Sequence, residues 1–355
     1  MPIVPMILVN GADGIGTGWS TGIPNFNPRD LIENIRRKLD GQEMKKMHPF
    51  YFGFDGSIEQ DSNKAGSYIV SGKIDRVDDE TLHISELPIK TWTQDYKIFL
   101  EKLMTGDEKK KIDAEIKDFK ENHTDTTVSF TVTMEKQKID KIEREKEGLH
   151  GKFKLRTKLN TTNMNAFDKH GRIVKYPTAE ALLDSFYDER LHFYNLRKDH
   201  LLSVLRREQR MLSNKARFVE EVCSGELVVS NRKRKEILLE LKERGYDTFQ
   251  KQVDSSKPQE EETTDEDDDG DQSLDGDLGK GYEYLLGMKI WSLTYEKAQG
   301  LKNQYAEKNK AVKELESTAP EDIWRNDLAA LEEALNERDE AYAAAAEEEK
   351  KAQGY

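Results

Sequence analysis

Hydrophobic residues recur every three or four positions over a long stretch in the second half of the chain. No proline or glycine interrupts residues 178–223, and a helix of that length extends about 65–70 Å. Residues 282–316 carry a similar pattern, rich in large apolar side chains. Because so long a helix needs a second helix to cover its apolar face, we predict that the two segments pair as an antiparallel coiled-coil arm.

A small tip is expected where the two arm helices meet. Residues 231–244 predict a helix with a basic start, whereas residues 254–277 hold twelve acids and one lysine with no periodicity. Such an acidic run is typical of a disordered segment. Beyond the arm, Thr318 and Glu321 have the spacing of a capping box that opens a last helix. We expect the end of that helix, residues 343–351, to fray.

The first half of the chain mixes helical and strand patterns. Asn27-Pro28 predicts the start of a helix that stops at Asp40-Gly41. Residues 67–85 alternate around an acidic turn and predict a β-hairpin, and residues 128–134 predict a half-buried strand. Helical stretches are expected near residues 95–104 and 108–121. The predicted fold class is therefore α+β, with a mixed domain containing β-sheet followed by the arm and its small helical dimerisation tip.

Residues 152–159 alternate cations with apolar side chains. As a strand, this segment places Phe153, Leu155 and Leu159 on one face, and four cations about 6.6 Å apart on the other. The four cations are Lys152, Lys154, Arg156 and Lys158. Such a row suits a nucleic-acid backbone, where phosphate contacts give position and affinity. An ordinary solvated sheet face is an equally good interpretation.

A glycine-rich block lies at residues 9–20, where Gly14, Gly16 and Gly18 alternate with larger residues. The block is not a dinucleotide fingerprint, because Trp19 stands where the third glycine is needed, and it is not a P-loop, because Thr17 replaces the lysine. Two interpretations remain, a tight structural loop and a contact site whose bare backbone lets a ligand approach. Spacing alone favours the structural loop.

The net charge of −13 is unevenly distributed. The run 254–277 carries −11 and residues 321–355 carry −7, which leaves a mildly basic remainder of +5. The charge therefore does not exclude nucleic acid as a partner. The single cysteine, Cys223, excludes an internal disulfide and a Cys/His zinc site. No apolar run reaches the ~18 residues of a membrane span, so no membrane partner is predicted.

Several blocks together resemble eukaryotic DNA topoisomerase II, a type IIA topoisomerase. The longest is PMILVNGADGIGTGWS at residues 5–20. The likeness continues through LIENIRR at 31–37, ELP at 86–88, TWT at 91–93, AFD at 166–168, LRK at 196–198 and YLLGMKIWSLT at 284–294. The blocks follow one another in family order, so the resemblance covers nearly the whole chain.

The resemblance implies a division of the chain into parts of a DNA gate. These are a DNA-contacting loop at 1–24, a tower domain at 25–176, an outgoing arm helix at 177–223, a C-gate tip at 224–281, the tip and returning helix at 282–317, and a C-terminal helix at 318–355. It implies a homodimer on double-stranded DNA, in the nucleus, acting in chromosome segregation. The complete enzyme would use ATP and Mg²⁺, and this segment would bind neither.

The resemblance also assigns roles to individual residues. It implies that Ile15, flanked by Gly14 and Gly16, is an apolar wedge in the cut duplex. Lys154, Arg156 and Lys158, with Arg36 and Arg37, would hold phosphates. The expected dimer interface is Tyr284, Leu285, Leu286, Met288, Ile290, Trp291 and Leu293. The family's nucleophilic tyrosine follows an arginine, which none of the thirteen tyrosines here does. We therefore expect a fragment that is inactive alone, with Met1 as a truncation point or gene-model start.

A purely structural coiled-coil dimerisation protein without DNA activity is the alternative. The arm alone would suffice for that function, whereas the glycine block and the cations would have no use. DNA affinity that depends on salt distinguishes the two, since the alternative predicts none.

Overall fold

The computed structural model describes residues 1–106, 113–124, 126–249, 279–289 and 294–352. The chain divides into two compact units, and each is described by itself. The first unit comprises Met1–Leu191 and Trp324–Tyr355, and the second comprises His192–Ile323. The acidic run 254–277 lies outside the described residues.

Helices and antiparallel strands alternate in the first unit, as the α+β prediction requires. The helices are α1 Met6–Asn10, α2 Pro28–Leu39, α3 Thr93–Thr105, α4 Lys136–Glu143, α5 Gly148–Lys152 and the start of α6 Ala179–Ser224. The strands are β1 Ala12–Ile15, β2 Ser20–Ile23, β3 Ser57–Gln60, β4 Ser67–Ser71, β5 Lys73–Arg76, β6 Thr81–Glu86, β7 Asp118–Glu121, β8 Phe130–Thr133, β9 Arg156–Asn160, β10 Met164–Phe167 and β11 Ile173–Tyr176.

The strands form four antiparallel sheets in the described part of the chain. Two are the hairpins β1-β2 and β10-β11, and the others have the orders β3-β4-β9 and β5-β6-β8-β7. The main core lies on the four-stranded sheet, where Leu82, Ile84 and Phe130 pack against Tyr96 and Leu100 of α3. The predicted hairpin within 67–85 forms as β5-β6, but Gly72 separates β4, which joins another sheet.

The predicted helix over 108–121 is wrong over the part that the structure describes. Residues 118–121 form β7, in which Phe119 lies opposite Val132 of β8. The local sequence favours a helix, but pairing with a buried strand outweighs that preference. The helix at 28–39 forms as predicted, and the Asn27 side chain accepts the backbone N–H of Arg29 at 3.0 Å.

The second unit is built on an antiparallel helix pair. It contains the rest of α6 and then α7 Arg234–Glu243, α8 Glu283–Leu286 and α9 Tyr295–Ser317. Glu208 pairs with Lys308 at 2.7 Å, while Glu220, further along α6, pairs with the earlier Lys302. The falling numbers on α9 against rising numbers on α6 establish that the predicted partner helices run in opposite directions.

The last helix, α10, runs over Pro320–Ala352, so the predicted fraying at 343–351 is wrong. The capping box is also wrong, because Thr318 ends α9 instead and donates its hydroxyl to the Glu314 carbonyl at 2.7 Å. Within the first unit, Arg36 of α2 pairs with Glu332 of α10 at 2.8 Å. The Trp324 ring N–H donates to the Ile3 carbonyl at 3.1 Å. Among the described residues, no helix is long and apolar enough to cross a membrane.

Candidate nucleic-acid interface

The glycine-rich block folds as the hairpin β1-β2. Its strands pair from Ala12 opposite Ile23 to Ile15 opposite Ser20, and the Gly16 N–H donates to the Trp19 carbonyl at 2.8 Å to close the turn. Ile15 sits at the end of this hairpin with 94% of its surface exposed. An aliphatic side chain that is almost wholly in water has no stabilising role in the fold, so it is available to a ligand.

The glycines of this block fall into two groups. Gly11 has a φ of +67°, and a β-carbon there would lie 2.4 Å from Asn25 Oδ1 and 2.7 Å from the Ile23 carbonyl. Gly18 has a φ of +80° in the turn. A β-carbon on Gly14 or Gly16 would meet nothing closer than 4.0 Å and 3.6 Å respectively. The fold therefore requires Gly11 and favours Gly18, whereas the missing side chains at 14 and 16 serve no packing within the chain.

A second hairpin, β10-β11, is fixed beside the first. The Gly22 N–H donates to the Asn163 carbonyl at 2.8 Å, and the Asn165 side-chain amide donates to the Ser20 carbonyl at 2.7 Å. At its turn, Asp168 accepts the backbone N–H of His170 and of Arg172 at 2.8 and 2.9 Å. The backbone N–H of Arg172, followed by its side chain, lowers the pKa of Asp168 to about 2. The carboxylate thus holds the turn in one conformation.

An open groove of 440 Å³ runs between the two hairpins. Its apolar lining includes Ile7, Ala12, Ile15, Trp19, Phe167 and Ile173, and none of its lining residues is charged. Phe167 is 71% exposed and Trp19 is 53% exposed. The sequence prediction named neither residue, although both belong to the blocks that carry the resemblance. The available signal was an apolar residue directly before a turn, which is unusual in a water-exposed hairpin.

The basic strand is shorter than predicted. Lys152 ends α5 and forms an ion pair with Glu115, while Lys154 has a left-handed φ of 51° and lies over the Phe99 ring at 4.6 Å. Phe153 and Leu155 are buried in the core of the four-stranded sheet, which forces the chain to turn before β9 begins. A row of four cations on one strand is therefore wrong.

Two of the four cations keep the predicted geometry. Arg156 and Lys158 lie on the same exposed face of β9, two residues apart. Their side chains make no hydrogen bond or ion pair with the part of the chain that the structure describes. The strand leads into β10 through Asn163, which donates its side-chain amide to the Ser20 hydroxyl at 3.0 Å. Both cations thus precede the hairpin pair closely in the chain.

The weaker candidates, Arg36 and Arg37, are engaged within the first unit. Arg36 pairs with Glu332, and the Arg37 guanidinium donates to the Glu43 carbonyl at 2.7 Å. Either cation would have to give up this contact to bind a phosphate.

The residues predicted for a dimer interface occupy different environments in the second unit. Leu285 is buried in a tip core with Leu227, Leu241 and Tyr282, so its side chain is not on the surface. Tyr284 is half-buried and donates its hydroxyl to the Asp247 carbonyl at 2.8 Å. Leu286 and Met288 pack partly against the same core. The positions 290, 291 and 293 lie outside the described residues.

One protein family matches the chain over most of its length. The family model described as DNA gyrase/topoisomerase IV matches residues 1–329. The chain belongs to this family.

Relatives within the family are eukaryotic, as the sequence blocks predicted. The chain is 42% identical to DNA topoisomerase 2 of Pisum sativum over 92% of its own length and 23% of the relative. It is 40% identical to DNA topoisomerase 2-beta of Homo sapiens over 95% of its length and 21% of the relative. The chain thus spans about a fifth of the length of these topoisomerases. The resemblance to eukaryotic topoisomerase II is confirmed.

A solved structure from Plasmodium falciparum has the same fold. It is the crystal structure of the topoisomerase II DNA-binding, cleavage and re-ligation domain, with 39% sequence identity and a TM-score of 0.82. The match covers 97% of this chain and 45% of that one. Mixed sheets and long helices are therefore shared with a type II topoisomerase core, which confirms the predicted fold class.

Proposed function

We propose that this chain is the part of an ATP-dependent type II DNA topoisomerase that bends the cleaved duplex. The observation that carries the proposal is Ile15, whose side chain is 94% exposed at the end of the β1-β2 hairpin. The solved structure with 39% identity is described as a DNA-binding, cleavage and re-ligation domain, which supports double-stranded DNA as the partner.

The proposed action of Ile15 is that of a wedge between base steps in the minor groove. Inserting an apolar side chain costs a few kcal/mol per unstacked step and is offset by the contacts that a bent duplex makes with the protein. Gly14 and Gly16 flank the wedge, and their missing β-carbons let the hairpin backbone approach the groove edges. Arg156 and Lys158 would hold phosphates beside the bend, each contributing salt-dependent affinity without base choice.

We infer that the second unit forms the exit gate of the same enzyme. In this proposal residues 25–176 are the tower, the helix pair of α6 and α9 is the arm, and the tip around Tyr284, Leu286 and Met288 joins a second copy across a twofold axis. A twofold interface must be self-complementary. The interface would also have to separate to release the transported duplex, which suits partly exposed rather than fully buried contact residues.

Other functions of the proposed enzyme belong to parts beyond this segment. We assign the nucleophilic tyrosine, the ATP site and the Mg²⁺ site to the rest of the complete protein. Among the described residues, no three His, Cys, Asp or Glu side chains are grouped so as to hold a metal ion. Nuclear localisation and a role in chromosome segregation remain part of the proposal.

The test uses the complete enzyme with Ile15→Ala. DNA bending, measured by fluorescence transfer between labelled duplex ends, should decrease together with cleavage, while the melting temperature should stay unchanged because the side chain is almost wholly exposed. Val77→Ala is a matched control, since Val77 is 65% exposed in another part of the first unit. Bending that persists in Ile15→Ala rejects the wedge.

The alternative, a structural dimerisation protein without DNA activity, is not favoured by the family match. Salt titration of DNA binding by the 355-residue chain separates the two proposals. A duplex affinity that falls steeply with salt supports the topoisomerase function, and its absence supports the alternative.

A further inference from the structure

Phe167 is an aromatic side chain fixed in water. It ends β10 opposite Ile173, and the next residue, Asp168, anchors the turn through its hydrogen bonds to His170 and Arg172. Asn165, two residues earlier, ties the same strand to Ser20 of the wedge hairpin. The position of Phe167 relative to the β1-β2 hairpin is therefore set by hydrogen bonds on both sides of it, while the ring itself is 71% exposed.

The groove that Phe167 shares with Ile15 is suited to a polyanion with an apolar interior. Its lining carries no charge, and the two nearest acids in sequence are each neutralised by a cation. Asp13 pairs with Lys90, and Asp168 pairs with Arg172 at 2.8 Å. No unpaired carboxylate from these two positions would repel phosphates at the rim, while sugar and base edges can contact the apolar floor.

We propose that Phe167 is a second apolar contact to the minor groove of the bound duplex, acting beside Ile15, with Trp19 covering the same groove. This inference rests on the proposed DNA-bending function and deepens it. The ring packs against deoxyribose and base edges next to the unstacked step, and it thereby stabilises the bent duplex over the straight one. A DNA duplex is preferred over an apolar peptide because the exposed cations of β9 lead into this hairpin and the flanking glycines remove side chains along an extended path.

The test compares Phe167→Ala, Ile15→Ala and Val77→Ala in the 355-residue chain, with end-labelled duplex DNA. Since the ring makes no phosphate contact, Phe167→Ala should weaken binding about tenfold. The slope of log affinity against log salt should not change, because that slope counts phosphates. Fluorescence transfer between the duplex ends should report a smaller bend. Val77→Ala should match the parent protein in all three measurements.

Each other outcome has a distinct meaning. If Phe167→Ala behaves like Val77→Ala while Ile15→Ala loses bending, the inference is wrong and the proposed function stands. If the parent chain binds no DNA, or Ile15→Ala also bends it normally, the proposed function fails and this inference with it. If Phe167→Ala alters sedimentation of the free protein and not its DNA binding, the groove is a protein contact and the inference is again wrong. Phe167→Leu, which keeps an apolar side chain, should restore most of the affinity.

Discussion

The cations of β9 allow a quantitative prediction about salt dependence. Arg156 and Lys158 are exposed on one face of the strand, whereas Lys154 lies over the Phe99 ring at 4.6 Å with a left-handed backbone. Each phosphate neutralised by a cation contributes about 0.9 to the slope of log affinity against log salt. Arg156→Gln with Lys158→Gln should therefore flatten the slope by about 1.8.

The effect is large enough to measure by fluorescence anisotropy. Over a fourfold rise in salt, a slope difference of about 1.8 changes the loss of affinity by roughly tenfold. Lys154→Gln should change the slope by less than about half a unit, since its ammonium group is already placed on an aromatic face. These values differ from the roughly two to three units that three equivalent strand cations would give.

Lys120→Gln is the matched control, because Lys120 is an exposed lysine on β7, in a different sheet. An equal flattening by Lys120→Gln would mean that total charge and not the β9 face controls binding. An unchanged slope in the β9 double variant would refute the phosphate assignment, and a full unit lost in Lys154→Gln would refute the distinction between the lysines.

Further predictions concern the two hairpins and the tip. Gly11→Ala should lower the free energy of unfolding by about 1–2 kcal/mol from its left-handed backbone alone, whereas Gly14→Ala should leave thermal unfolding unchanged and weaken DNA binding. The pKa of Asp168 is lowered to about 2, below its usual ~3.9, so its contribution is present above about pH 4 and disappears as the pH falls towards 2; hydrogen exchange at His170 and Arg172 should accelerate over that range, and Asp168→Asn should remove the pH dependence. Sedimentation at micromolar concentration should detect a dimer that survives deletion of residues 260–271 and is lost in Leu286→Asp with Met288→Asp; a monomer throughout, or a double variant whose tip has lost its near-ultraviolet dichroism, would not support the interface.

Local signals accounted for most of the elements that the sequence predicted correctly. Asn27-Pro28 caps α2 through a bond between neighbours, and the uninterrupted pattern of 178–223 becomes α6, Ala179–Ser224. Both depend on residues a few positions apart. The errors arose where distant residues decide. Residues 118–121 become a strand because β8 is beside them, and Lys154 leaves the strand because Phe153 and Leu155 are buried elsewhere.

The candidate site was predicted in part, for a similar reason. Ile15 and the glycines around it came from the resemblance, but sequence alone could not separate Gly11, which the fold needs, from Gly14 and Gly16, which it does not. That distinction depends on where Asn25 and Thr21 lie. Phe167 joins the site only because Asn163 and Asn165 bond to Ser20, some 145 residues away in sequence.

The return of α10 to the first unit determines the order in which the protein can fold. Trp324 is fully buried, donates to the Ile3 carbonyl, and stacks near Tyr187 at 5.1 Å between ring centres. The bond to Ile3 joins residues more than 300 positions apart, so on the ribosome the first unit cannot close its core until the whole second unit has been synthesised. The second unit is continuous in sequence and can fold without waiting. A stalled or truncated nascent chain that ends before Trp324 would expose the contact surface at Ile3 and Tyr187, which makes the last helix the step that protects the growing protein from aggregation.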